Sequence, residues 1–335
     1  MKRLATQYGD GILKGVLDAY DDYVLITDPV PWKLHNDRLS HSPNRVVMVE
    51  SLEKSVLDQT VSEVPDGLRI VGLGGGSVID AAKYFAYLRD ETPLLVPTIT
   101  SSNAHLTDFI SVRREGRAAG IKIEGLPKRV VVDYDVIAAA DPRLNRAGFG
   151  DILAHRTALT DQEIAEALGK EDAVDPAVRD RMAGILKRAM DDAAEIGAVS
   201  RRGIKLLMEL FEECTNATGE SRRPIGAGSE HLFAWNLEGV TGRHFIHGEI
   251  VSLGIVICAY LQGRHFDELR SALDRARVAY RPDQVGVDWE AIKQALLTVE
   301  DYNQKVRGFN SVFAEIEWSP RQLAEIRDVV LHGSS

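Results

Sequence analysis

Two spacings of apolar residues divide this chain. Up to about residue 140, short apolar runs recur: Tyr23–Thr27, 45–49, 68–71, 93–96 and 129–133, rich in Val, Ile and Leu and closed by Asp, Glu, Gly or Pro. Runs of this length and composition are strands buried on both faces. Between two of them, Val78, Ala81, Ala82, Phe85 and Ala86 repeat at helical spacing, and 111–113 with 120–123 read as a hairpin. Strands alternating with helices predict a parallel sheet covered on both faces, with ligands at the carboxyl ends of its strands. From Gly150 onward the spacing becomes helical, predicting helices over 151–160, 176–196, 201–217, 228–237, 248–262, 266–277, 289–297 and 320–331. The predicted architecture is an α/β N-terminal nucleotide-binding domain, 1–142, and an all-α C-terminal domain, 143–335, meeting near Asp141-Pro142. A cleft between two such domains is a common place for an active site.

Composition narrows the partners. At 335 residues with 44% hydrophobic and 27% charged positions, the chain can bury large cores and is not a disordered polymer. A formal net charge of −10 argues against nucleic acid bound on a broad basic face, while leaving room for a local basic pocket for an anionic metabolite. The two cysteines, Cys214 and Cys258, form neither a disulfide framework nor a thiolate zinc site, which fits a reducing cytoplasm. The first residues lack an apolar signal core, and no apolar stretch is long enough to insert in a membrane. The expectation is a cytoplasmic protein acting on a small molecule, with a homo-oligomer compatible but unspecified.

Candidate chemistry sits at the junctions. After the third strand come Gly74, Gly75 and Gly76, then Ser77 as a candidate helix cap. A strand, a glycine turn and a helix start expose backbone N–H groups at the positive end of a helix, where a phosphate can sit. A tight turn with no ligand would look the same, and the spacing is neither G-x-G-x-x-G nor a Walker loop. After the fourth strand, residues 97–108 form a polar loop dense in hydroxyls. In the helical half, Gly148-Phe149-Gly150-Asp151, Gly228-Ser229-Glu230-His231 and His247-Gly248-Glu249 each place an acid or a histidine beside glycine at a predicted helix start. One carboxylate and two imidazoles from Asp151, His231 and His247 would make a catalytic metal set with open positions. Asp151 reads equally as an N-cap or as a partner of His155, and His155 and His244 are alternative ligands by chemistry alone.

Taken together and in order, these motifs resemble the family of iron-containing alcohol dehydrogenases, glycerol dehydrogenases and sn-glycerol-1-phosphate dehydrogenases, with dehydroquinate synthase a more distant relation. The resemblance runs from about Tyr23 to Val256 and is nearest in pattern to the glycerol-1-phosphate dehydrogenases. It implies an NAD(P)-linked, metal-dependent polyol or polyol-phosphate dehydrogenase. By resemblance Gly74, Gly75, Gly76, Ser77 and Asp80 belong to the pyrophosphate segment and Asp28 lies near the adenosine ribose. The ribose aspartate favours NAD over NADP. Thr98, Ser101 and Thr107 would line the nicotinamide side. Asp151, His231 and His247 would hold one divalent ion, Zn or Fe, with Ni or Mn as substitutes. An aspartate as first ligand resembles the dehydrogenases rather than a cyclising, NAD-recycling lyase, which is the rival activity; a catalytically decayed NAD-binding relative is the other. Two positions depart from the pattern. Asn103 replaces the aspartate that touches substrate and can hydrogen-bond a hydroxyl but not act as a base. Trp235 stands where the dehydrogenases tend to have histidine, and is expected to make that part of the pocket apolar. Candidates for a substrate phosphate are Arg243, Lys122 and Arg113; for a proton relay, His105, Asp108 or His244.

Overall fold

Near-continuous apolar strands need cover on both faces, and the sheet receives it. The strands are β1 (Gln7–Gly9), β2 (Tyr23–Thr27), β3 (Arg45–Met48), β4 (Arg69–Gly74), β5 (Leu94–Pro97), β6 (Phe109–Arg114), β7 (Arg117–Lys122) and β8 (Arg129–Asp133). The computed structural model describes residues 6–123, 125, 128–221 and 225–332. Six of these strands form one sheet in the order β1-β8-β5-β4-β2-β3, and every neighbouring pair in it is parallel. Tyr23, Leu25, Val71, Leu73, Leu94, Val96 and Val131 turn to one face, where Leu13 and Leu17 cover them. The Gly76–Arg89 helix packs against β4, and a Cβ on Gly72 would come within 2.6 Å of that on Ala82, so glycine lets the helix settle onto the sheet.

Chain order reverses at the centre of this sheet. From β2 the chain moves outward to β3; from β4 it moves the other way, to β5 and β8. The carboxyl ends of the adjacent strands β2 and β4 therefore flank a topological switch point, where open α/β sheets leave a crevice for ligands. Thr27 Oγ1 donates to the Leu73 carbonyl at 2.8 Å and ties the two strand ends together.

The hairpin β6–β7 is antiparallel and turns on Glu115 and Gly116, both at positive φ (53° and 74°), which suits the right-handed twist of a two-residue loop. The expected strand at 68–71 runs on through the first glycine, to Gly74. Strand β1, three residues at the sheet edge, has no counterpart in the apolar pattern.

The chain divides into two compact units, Met1–Asn145 and Arg146–Ser335. The second is helical. Its principal helices include Pro176–Asp191, Arg201–Glu220, Ser229–Thr241, His247–Gln262, Trp289–Tyr302 and Pro320–His332, together with most of Pro142–Ala167. Asp151 thus does not begin a helix; it lies well inside a helix of 26 residues, and the expectation of a helix start there is corrected. Both cysteines are free and buried, and among the described residues no helix is long and apolar enough to cross a membrane.

Candidate metal centre and nucleotide seat

Three helices bring the centre together, and glycine lets each pair approach backbone to backbone. A Cβ on Gly150 would lie 2.3 Å from the Gly248 carbonyl oxygen, and one on Gly248 only 1.9 Å from that of Ala147, so the Pro142–Ala167 and His247–Gln262 helices touch through their main chains. A Cβ on Gly254 would meet the Glu230 carbonyl at 2.6 Å, joining His247–Gln262 to Ser229–Thr241. Gly228, N-cap of that last helix, lies against Ala158, where a Cβ would find its Cα at 2.7 Å. Each candidate ligand is the immediate neighbour of a residue in one of these crossings: Asp151 follows Gly150, His247 precedes Gly248 and His231 follows Glu230.

The result is one cluster. Ligand atoms of Asp151, His231 and His247 all lie within 4.8 Å of one another. His247 Nε2 is 3.5 Å from Asp151 Oδ1, and the rings of His231 and His247 are 5.2 Å apart. Asp151 Oδ1 is buried and has no hydrogen-bond partner among the described residues. A buried carboxylate oxygen without a donor is costly unless something cationic meets it. With two imidazoles beside it, the donor set fits a borderline divalent ion such as zinc or iron, and three protein donors are fewer than such an ion takes.

His231 is oriented from behind. Its Nδ1–H donates to Glu230 Oε1 at 2.8 Å, which turns Nε2 away as the available lone pair. Glu230 is fully buried and is itself held by the Gly228 N–H at 2.7 Å and the Thr157 hydroxyl at 2.7 Å. Burial pushes the Glu230 carboxyl up, but the bond and charge of His231, with those two donors, outweigh it and hold it below its usual range. Burial likewise disfavours a charged His231, while the bond to Glu230 and the charges of Glu230 and Asp151 raise its pKa; Arg307 acts in the opposite direction. Beneath them Asp161 accepts from the Ser229 N–H (2.7 Å), Gln262 (2.8 Å) and the Val312 N–H (3.1 Å), and burial together with the Glu230 charge pushes it up to about 7.

The other histidines stand elsewhere. His155 is buried, and its Nδ1 lies 3.1 Å from the Asp151 carbonyl and 3.2 Å from that of Ile152, with Nε2 toward the Thr218 hydroxyl. It pairs with the Asp151 backbone, not its carboxylate. His244 is exposed and 3.9 Å from Glu238. Trp235 is not simply an apolar wall: its ring lies 5.3 Å from that of His231 and carries the Arg307 guanidinium 4.0 Å from its centroid.

The first unit offers a second arrangement, at the switch point. Asp28 follows β2, caps the Pro29–His35 helix through the Val30 N–H (2.9 Å) and is partly exposed. Gly75 is the N-cap of the Gly76–Arg89 helix; Ser77 lies inside its first turn, exposed, and makes no capping bond, which corrects that expectation. A Cβ on Gly74 would strike Val78 at 2.5 Å, one on Gly75 would meet Ile99 at 2.9 Å, and one on Gly76 the Ser102 hydroxyl at 2.9 Å. Glycine is thus needed for the turn itself, and the same turn presents the open N–H groups of a 14-residue helix, a form suited to a phosphate.

Asp80 is buried three residues before Lys83, ion-paired with it at 2.7 Å and accepting the Ser111 N–H at 3.0 Å. The buried Lys83 ammonium also donates to the carbonyls of Ala104 (2.8 Å) and Phe109. Lys128, buried as well, donates to the Thr107 carbonyl (2.6 Å) and to Asp108 (2.9 Å). Two ammonium groups thus fasten the polar loop in which Ser101, Asn103 and Thr107 are half-buried and His105 is buried. Thr98, also buried, donates its N–H to the Gly74 carbonyl at 3.0 Å. The candidate relay acid Asp108 is therefore an ion-pair partner. Of the candidate phosphate residues, Lys122 is exposed at the end of the hairpin, Arg113 donates its N–H to the Leu52 carbonyl at 2.8 Å, and Arg243 binds the Gly286 carbonyl at 2.9 Å.

Neither Lys128 nor Arg307 stands out from residue spacing alone. The legible signal for Lys83 was an acid and a base three apart in an otherwise apolar helix.

In comparison with known proteins, the family model for iron-containing alcohol dehydrogenase matches residues 18–141, the part of the chain that builds the parallel sheet. The chain belongs to that family, on the glycerol-1-phosphate dehydrogenase side of it. Glycerol-1-phosphate dehydrogenase (NAD(P)+) of Sulfurisphaera tokodaii is 30% identical over 282 residues, covering 82% of this chain and 80% of that one. The enzyme of the same name from Pyrobaculum neutrophilum is 32% identical over 242 residues, 68% of each chain. In fold, the chain is similar to sulfoacetaldehyde reductase of Bifidobacterium kashiwanohense, solved with NAD+, at a TM-score of 0.72, 13% identity and coverage of 100% and 98%.

Proposed function

We propose that this chain is a metal-dependent, NAD(P)-linked polyol-phosphate dehydrogenase that interconverts a phosphorylated alcohol and its ketone. The observation that carries this is the convergence of Asp151, His231 and His247 in a chain of this family. When bound, the divalent ion polarises the substrate oxygen and the nicotinamide gives or takes the hydride.

The residues do the rest. Asp151, His231 and His247 hold the ion, and Glu230 keeps the His231 imidazole in the tautomer that can bind it. The turn from Gly74 to Ser77 seats the pyrophosphate at the helix N-terminus, supported by its place at the switch point. Asp28 takes the adenosine ribose, and its negative charge disfavours a 2′-phosphate, so NAD is the preferred cofactor. Thr98, Ser101 and Thr107 line the nicotinamide side, with Asn103 donating or accepting a hydrogen bond at a substrate hydroxyl. Asp80 supports the segment structurally through Lys83. The ion is zinc or iron, and the enzyme works in the cytoplasm.

The test is direct. Purified protein supplied with Zn²⁺ or Fe²⁺, NADH or NADPH and dihydroxyacetone phosphate is expected to consume the reduced nicotinamide, and Asp151→Ala and His247→Ala to abolish this. No consumption with either ion and either nucleotide would sink the reading. Release of inorganic phosphate from a sugar phosphate with no net change in NADH would instead favour the lyase.

A further inference from the structure

The dehydrogenase reading leaves one part of the substrate without a partner: the phosphate. Arg243, in the same helical unit as Asp151, His231 and His247, is exposed and binds the Gly286 carbonyl at 2.9 Å. One cation does lie beside that group. Arg307 ends a π-helical turn, Asn303–Arg307, a backbone form that occurs mostly in short pieces and often at functional sites. Gly308 follows at φ 68°, and the buried Asn303 side chain fastens the turn, accepting the Phe309 N–H and donating to the Phe309 carbonyl, both at 2.9 Å. Phe309 in turn packs against Trp235, ring centroids 6.3 Å apart.

The guanidinium is therefore held in place. It lies over the Trp235 indole with its carbon 4.0 Å from the centroid, while its Nε donates to the Tyr302 hydroxyl at 3.2 Å. The same indole sits 5.3 Å from the His231 ring. One aromatic ring thus separates a planar, permanently charged fork from a candidate metal ligand. Stacking on an aromatic face restrains a guanidinium, and its planar fork matches the oxygens of a phosphate.

We propose that Arg307, laid on Trp235 beside the metal centre, binds the phosphate of the substrate and makes this chain selective for phosphorylated over unphosphorylated polyols. The inference rests on the dehydrogenase reading above for its substrate, but not for its binding test. Trp235 then has a definite role: it is the platform that aims the guanidinium.

The experiment uses the metal-loaded enzyme and separates binding from turnover. Calorimetry measures dissociation constants for glycerol 1-phosphate, glycerol and inorganic phosphate; steady-state rates give KM and kcat for dihydroxyacetone phosphate and dihydroxyacetone. Arg307→Gln is expected to weaken glycerol 1-phosphate and raise KM for dihydroxyacetone phosphate by about 10- to 100-fold, the range of one charged hydrogen-bonding contact, with glycerol binding and KM for dihydroxyacetone within about 3-fold of the parent. Arg307→Lys, which keeps the charge but not the fork, is expected to recover part of the loss, and Trp235→Leu to fall in the same direction as Arg307→Gln. Equal loss for phosphorylated and unphosphorylated ligands, or no loss for either, overturns the proposal. If the parent turns over neither ketone, the dehydrogenase reading fails. The anion site then stands only if glycerol 1-phosphate or phosphate binds in an Arg307-dependent way, and falls if it does not.

Discussion

His35 shows what one residue can cost. Its side chain is fully buried at the end of the Pro29–His35 helix, and among the described residues neither ring nitrogen has a hydrogen-bond partner. Burial, reinforced by the charge of Arg38, pushes its imidazole down to about 4, whereas in the unfolded chain it titrates near the ordinary value of 6.5. A depressed folded value means that the folded state excludes the proton. Its contribution to stability is fully present above pH 6.5 and is lost as pH falls toward 4. The loss should reach about 3 kcal/mol by pH 4. Urea unfolding at pH 7, 5.5 and 4 should show the parent losing stability faster than His35→Leu; parallel curves for the two proteins would contradict this. Nothing in the local sequence announces the burial, because His35 ends a short Pro- and Trp-containing helix with no apolar period.

At the scale of elements, the candidate metal centre depends on where helices cross. Gly150→Ala and Gly248→Ala would each drive a methyl into a backbone carbonyl of the facing helix, so each should destabilise the fold by about 1–3 kcal/mol and weaken metal binding by separating Asp151 from His247. Gly184 is the control. It lies in the exposed face of the Pro176–Asp191 helix with nothing within 4 Å of its would-be Cβ, and Gly184→Ala should stabilise by about 0.5–1 kcal/mol. Thermal unfolding with metal titration on the three variants checks this. The same glycines explain why one boundary was hidden in the sequence. Gly148 and Gly150 lower helix propensity and imitate a loop before Asp151, whereas the packing of a second helix overrides them and the helix begins at Pro142. The strands were easier to read, since β2, β4, β5 and β8 are buried almost throughout and carry uninterrupted apolar runs. Strand β1 and the π turn were not legible: a three-residue edge strand has too few positions for a period, and a π turn has no side-chain signature.

For the molecule as a whole, Asp151, His231 and His247 are legible as a candidate set from chemistry and family resemblance, and the fold brings them together; what sequence does not supply is the ring of partners around them. Glu230, Arg307 and the buried lysines act through distance, and distance is fixed only by the fold. If the ion binds the native state alone, it adds about 2.7 kcal/mol at a hundred times its dissociation constant. Chelation should accordingly lower the thermal midpoint of the parent, and Asp151→Asn should abolish that chelator-dependent shift while leaving the metal-free midpoint nearly where it was. A parent midpoint indifferent to chelator would count against a metal at this centre.

The three backbone crossings also bear on redesign. Because Gly150 with Gly248, Gly254 and Gly228 set how near the helices come, the backbone positions of the side chains beside them are fixed by the frame. An engineer seeking another ion would exchange the donors, for instance Asp151→His or His231→Glu, and leave every glycine of the frame untouched.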